Sequence, residues 1–200
     1  MNWATNDLSE LLQTIWQSLE RSSADMQHPF RTPVLGTIGT RKSSVRTVVL
    51  RKGDSKTRAL VCYSDYRAPK ITDILANPVT EWLFYHPADR IQIRASGVTK
   101  VHYLNRIAEE AWSELPSLNR VSYCGSQPPG KPIAEPSMAL APGRRGRKLR
   151  KEETEIGRSN FAVVVTTVDR LDWLHLGERE HRRAGFTWNG ADVAGTWLAP

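Results

Sequence analysis

Hydrophobic positions repeat at two periods along this chain. Near the start, Leu8, Leu11, Leu12, Ile15, Trp16 and Leu19 recur every three or four residues. That is one apolar stripe on a helix, with Asn6 or Asp7 placed to cap it. From Val34 onward the period falls to two. Residues 34–40 read as a first strand and 41–44 as a turn. Residues 46–51 form a second, β-branched strand, with a turn signal at Gly53-Asp54-Ser55 and a further strand over 59–63. Ser64 and Asp65 then offer side-chain oxygens for a turn or an N-cap ahead of a short helix over 70–75. Asn77-Pro78 stops that helix, because proline disfavours helix just before it.

Residues 81–85 and 91–103 read as long strands. In the second, Ile91, Ile93, Ala95 and Gly97 share one face, and Gln92, Arg94 and Ser96 the other. Asn105 caps a helix with Ile107, Ala108, Ala111, Trp112 and Leu115 along one side, ended by Pro116. Residues 161–168 form a buried strand and 171–176 another. Phe186 to Trp188, Asn189-Gly190 and Thr196 to Leu198 form a closing hairpin. Many short antiparallel strands with a few helices predict a mainly β chain, a barrel with peripheral α-helices.

Two hundred residues suit one domain over 1–200. Six prolines and five glycines fall between 116 and 159, which predicts a long loop, flexible at about 126–158. No apolar run approaches a membrane span, and the N-terminus lacks the pattern of a signal peptide. Cys62 and Cys124 stand alone, which suits a reducing compartment; we read a cytoplasmic protein. The net charge of +7 invites a nucleic-acid reading, but without the six cations of residues 144–151 it falls to +1. A charge run of that kind is usually solvated. The five histidines have no metal-ligand spacing, so no metal site is expected.

The chemistry concentrates between Arg46 and Lys70. Arg46, Arg51, Arg67, Lys70 and two hydroxyls gather around one hairpin and one helix start, where cations and free N–H groups can hold a phosphate. On spacing alone, a solvated charged hairpin is the simpler reading. Arg46 and Arg51 lie five apart, so an ideal strand points them to opposite faces.

The order of motifs adds to this. Arg46-Thr-Val-Val-Leu-Arg51 followed by Tyr63-Ser-Asp-Tyr-Arg-Ala-Pro-Lys70 resembles the FMN-binding hairpin of the pyridoxamine 5'-phosphate oxidase family. Asn77-Pro78, the strand Glu81 to Tyr85, Gln92 to Gly97, Trp173 with Arg179-Glu-His181-Arg-Arg183, and the closing Leu198-Ala-Pro200 resemble further family segments in the same order. The resemblance implies a six-stranded antiparallel FMN-binding split barrel, a homodimer with flavin sites at its interface. It implies Arg46, Ser64, Arg67 and Lys70 on the FMN phosphate, with Val48, Val49 and Gln92 along the ring's polar edge. Trp173 and Arg183 would reach the flavin from the partner. Arg51, Arg179 and His181 match substrate contacts, with His181 and Arg179 the catalytic candidates.

Two family features are altered. The Tyr-x(3)-Arg-x(3)-Ser signature is replaced by Trp112, Pro116 and Arg120, and a Ser-x-Gln-Ser contact shrinks to Ser126-Gln127. The expectation is an FMN-dependent oxidoreductase acting on a small molecule, with a phosphorylated amine as one candidate. The alternatives are a flavin- or haem-binding carrier, sensor or reductase without oxidase turnover, and a basic nucleic-acid-binding barrel.

Overall fold

The computed structural model describes residues 3–40, 42–134, 140 and 148–200. Helix α1 (Leu8–Ala24) begins where the Asp7 carboxylate accepts from the backbone N–H of Ser9 and Glu10, at 2.7 and 3.0 Å. Its apolar stripe buries Leu11, Ile15 and Leu19 completely.

The strands are β1 (Val34–Ile38), β2 (Ser43–Thr47), β3 (Lys52–Asp54), β4 (Ala59–Asp65), β5 (Val79–His86), β6 (Ile91–Tyr103), β7 (Phe161–Leu176), β8 (His181–Asn189) and β9 (Asp192–Leu198). Helices α2 (Pro69–Ala76) and α3 (Arg106–Glu114) sit between strands, with short helices α4 (Ser117–Arg120) and α5 (Lys151–Thr154) later. The strand order is β2-β1-β5-β6-β7-β4-β3, every pairing antiparallel, with β8 added to β7 and β9 to β8.

The two ends of that order, β2 and β3, are consecutive pieces of one chain. Of the expected single strand over 46–51 only Arg46 and Thr47 are in a strand, the end of β2, which pairs with β1; residues 48–51 link it to β3, which pairs with β4. Between them Val48 N–H donates to Pro33 O, Leu50 N–H to Arg31 O and Arg51 N–H to Val61 O. The segment changes partners while keeping its backbone bonded, as closing a barrel requires. Counting β2 and β3 as one stave gives six staves, with the β8–β9 hairpin outside them. Arg46 lies in β2 and Arg51 in the irregular link just before β3, so the parity argument between them does not apply.

Residues 161–168 and 171–176, expected as two strands, are the single strand β7. A register shift opposite Ser96 and Gly97 absorbs the polar Asp169-Arg170 interruption. The first half of β7 lies between β6 and β4, the second between β6 and β8, so the sheet forks there. The inner face carries Leu35, Trp82, Phe84, Ile93, Ala95 and Trp173, all fully buried. A second cluster joins Trp112, Tyr123 and Phe161 beneath α3. Among the described residues no helix is long and apolar enough to cross a membrane.

Candidate functional site

Arg46 lies on the inner face, opposite Leu35 of β1. Its guanidinium donates to Leu35 O at 3.2 Å, to Thr37 Oγ1 at 2.8 Å and to Ser44 Oγ at 2.7 Å. Asp73, one turn past Lys70 on α2, stands 4.0 Å away and accepts from Thr37 Oγ1 at 2.9 Å. Burial lowers the Arg46 pKa. On β4, Ser64 is buried and its hydroxyl accepts from Lys70 Nζ at 3.2 Å. Burial pushes the Lys70 amine down, and the Arg46 charge adds to that. Beneath them lies the wholly buried Cys62 thiol, which burial pushes up to about 12 while Lys70, Arg51 and Arg46 pull the other way.

Arg46, Lys70 and Ser64 thus converge as the sequence led us to expect. Thr37, Ser44 and Asp73, which position Arg46, had no signal beyond their polarity in an apolar neighbourhood. Helix α2 starts at Pro69 with Ala68 as its N-cap and no capping side chain. Ser64 and Asp65 instead shape the preceding turn, where Asp65 accepts from the Arg67 backbone at 2.8 Å. The Arg67 guanidinium is engaged by Asp65 at 2.7 and 3.0 Å and donates to Gly125 O at 3.0 Å, pinning the later loop to this turn. Beside it opens a cavity of about 180 Å³ whose walls include Ser122, Gln127 and Lys131.

The other expected residues divide into groups. Val48 packs on the core and Val49 is exposed. Arg51 lies with its guanidinium 5.3 Å from the Tyr63 ring centre, and its buried Nε has no hydrogen-bond partner among the described residues. Gln92 and Arg183 both stand opposite Leu174, on either side of β7. Arg179 lines a cleft of about 500 Å³ at the β7–β8 turn with His175 and Arg182, and His181 begins β8. Trp173, expected over a neighbouring subunit's flavin, is instead fully buried in its own chain, stacked on Trp3 at 6.5 Å. It faces inward because the period of β7 places it beside Ile93 and Ala184.

Arg120 is 1% exposed and spent structurally. It donates to Leu115 O at 2.8 Å and Trp112 O at 2.6 Å, carbonyls at the end of α3, and pairs with Glu155.

A family model described as pyridoxamine 5'-phosphate oxidase, FMN-binding domain, matches residues 12–103. The fold is shared with several solved structures. A pyridoxamine 5'-phosphate oxidase-related, FMN binding protein from Nostoc punctiforme superposes with a TM-score of 0.72 at 21% identity, covering 100% of this chain and 98% of that one. PhzG from Burkholderia lata, solved with tetrahydrophenazine-1-carboxylic acid, gives 0.72 at 13% identity over 100% and 97%. A Clostridium acetobutylicum protein related to general stress protein 26 gives 0.55 at 9% identity over 87% and 93%.

Proposed function

We propose that this chain, whose residues 12–103 match the FMN-binding domain model, belongs to the pyridoxamine 5'-phosphate oxidase-like FMN-binding family, binds FMN and acts as an FMN-dependent oxidoreductase on a small molecule. The observation that carries the reading is the meeting of Arg46, Lys70 and Ser64 at the start of α2. Hydrogen bonds among the described residues leave Lys70 two N–H donors and Arg46 its Nε–H and one Nη2–H. The Arg46 charge helps to depress the Lys70 amine, and a phosphate group would relieve that repulsion while taking the free donors. The residues therefore fit the phosphate end of FMN.

In this reading Arg46, Lys70 and Ser64 hold the phosphate, with Arg67 stiffening the turn beside it. Val48, Val49 and Gln92 meet the ring's polar edge. Bound FMN supplies the two-electron chemistry, and the protein supplies orientation and charge. Arg51, Arg179 and His181 border the substrate, with His181 and Arg179 as the proton-handling candidates. Arg120 is committed to α3, so it offers no cation to a phosphorylated substrate. That same observation favours a second reading, a flavin carrier or reductase without oxidase turnover.

The working unit is proposed as a homodimer in the cytoplasm. Ile38, Val45, Val79, Tyr85 and Val98 are exposed on the outer face of one sheet, an apolar strip of the kind that marks association.

The test is FMN titration of the purified protein, read by flavin fluorescence, with riboflavin as the control lacking phosphate. FMN should bind well and riboflavin poorly. Lys70→Ala should weaken FMN by about 1.5–3 kcal/mol, the range for hydrogen bonds to charged groups. Equal affinity for FMN and riboflavin, or an unchanged Lys70→Ala variant, would overturn the phosphate assignment. Oxygen consumption with candidate amines and acids then separates oxidase from carrier.

A further inference from the structure

We propose that Arg94 and Arg183, paired on the buried carboxylate of Asp172, form a binding subsite for a monoanionic carboxylate on the outer face of the sheet. The register builds it. Arg94, Asp172 and Gly185 lie in one cross-strand row of β6, β7 and β8; Gln92, Leu174 and Arg183 lie in the next row of the same face. Gly185 puts no side chain beside Asp172, and a Cβ there would come within 3.0 Å of Leu198 Cδ1. Arg183 therefore reaches Asp172 from the neighbouring row. Its Nη2 donates to Asp172 Oδ2 at 2.8 Å, and Arg94 Nη2 donates to the same oxygen at 3.0 Å. The Arg183 Nε adds contacts of 3.2 and 3.3 Å.

Asp172 is 3% exposed. Burial alone would raise its pKa, but the hydrogen bonds from Arg183 and Arg94 outweigh it and hold the carboxyl below its usual range. One carboxylate thus faces two guanidinium charges, leaving one positive charge in excess. A cross-link between strands would be complete with a single arginine. The second is surplus, and both side chains are partly open, at 39% and 30%. Hydrogen bonds among the described residues leave Arg183 both Nη1 hydrogens, and Arg94 both of its own. Arg94 Nε is also buried without a hydrogen-bond partner among the described residues.

One net positive charge with planar forks on both sides suits a carboxylate, which takes two parallel N–H donors. A phosphate dianion would overshoot the charge. The subsite deepens the proposed function, and that reading enters through Gln92 and through Arg183, the proposed contact to a partner's flavin. If Gln92 meets the flavin, an organic acid held by Arg94 lies next to the redox centre. Binding of the anion itself needs no flavin.

The test uses benzoate as probe, benzamide as its neutral isostere and inorganic phosphate as a separate arm, each titrated calorimetrically into the full-length protein as purified. Benzoate should bind at least about tenfold more tightly than benzamide, the scale of one charge-assisted bond. Arg94→Gln should lose about that factor while retaining its melting temperature and FMN content, and Arg94→Lys should recover part of it. Equal binding of benzoate and benzamide overturns the proposal. So does an Arg94→Gln variant that binds benzoate as before, or one whose only change is a lower melting temperature. Phosphate binding tighter than benzoate overturns the monoanion assignment. Benzoate binding without FMN binding refutes the flavin reading alone; FMN binding without benzoate binding refutes this one.

Discussion

Gly97 stands where the β6–β7 register shifts, and no other residue fits there. A Cβ would lie 2.0 Å from Thr167 O and 2.9 Å from Val168 Cα, both backbone atoms that cannot swing aside. Gly97→Ala should cost about 3 kcal/mol, the upper end for overpacking, and urea denaturation measures it. His28 makes a second residue-scale prediction. Its Nδ1 accepts from the Phe30 backbone at 3.1 Å, and its ring lies 5.9 Å from that of His86. Burial and then the His86 charge lower its pKa from 6.5; Asp25 and Asp89 oppose this, and Arg21 adds to it. Below about pH 6.5 the unfolded chain therefore binds more protons than the folded one, so stability is lost as pH falls through the folded value. The melting temperature should drop between pH 7 and 5 less steeply in His28→Asn than in the wild type.

At the scale of elements, two helix ends are fixed by single side chains. Asp7 satisfies two N–H groups at the start of α1, and Asp7→Ala should cost about 1 kcal/mol in thermal unfolding. Arg120 serves the opposite end of α3. Its loss would strand the Leu115 carbonyl, take one of two donors from the Trp112 carbonyl and leave Glu155 with the Trp112 Nε1–H alone. Arg120→Met should destabilise by about 1–3 kcal/mol, the cost of leaving a buried acceptor without its donor. If Arg120 instead served a ligand, the variant would keep its stability, and chemical denaturation decides between the two. The β8–β9 hairpin closes through Asn189-Gly190, with Gly190 at φ +64°, a conformation glycine adopts without strain.

At the scale of the molecule, the proposed sites fall in two groups, one around Arg46 and Lys70 and one along β7 and β8. A homodimer in which Arg183 acts on the partner's flavin would join them across a two-fold axis. Mixing Lys70→Ala with Arg183→Ala tests this. In a heterodimer both lesions can fall in one site, leaving the other intact, so tight FMN binding should return in up to about half of the heterodimer sites. A monomer in solution, or no recovery in proven heterodimers, would defeat the shared site. Trp173 takes no part in that test, since its buried ring belongs to the core.

Periodicity and capping determined much of this protein from the sequence alone. The α1 stripe, the Asn105 cap of α3 and the alternation from Ile91 to Tyr103 are local signals, each complete within a few residues. The cation cluster was legible for the same reason: Arg46, Ser64 and Lys70 come from one short stretch around a turn. Tertiary structure decided what depends on pairing. The strand expected over 46–51 ends at Thr47 because the chain there leaves β1 to cross toward β4, and nothing in its own residues records those neighbours. Trp173 looked like a site residue by its place in a motif, but the registers of β6 and β8 turn it inward against Trp3, 170 positions earlier. Asp172 gave no signal of two arginines converging on it, since they arrive from strands that only folding sets on either side. Local patterns fix which way a side chain points within its own element; which partner it meets there is fixed by long-range registry, which a single sequence does not display.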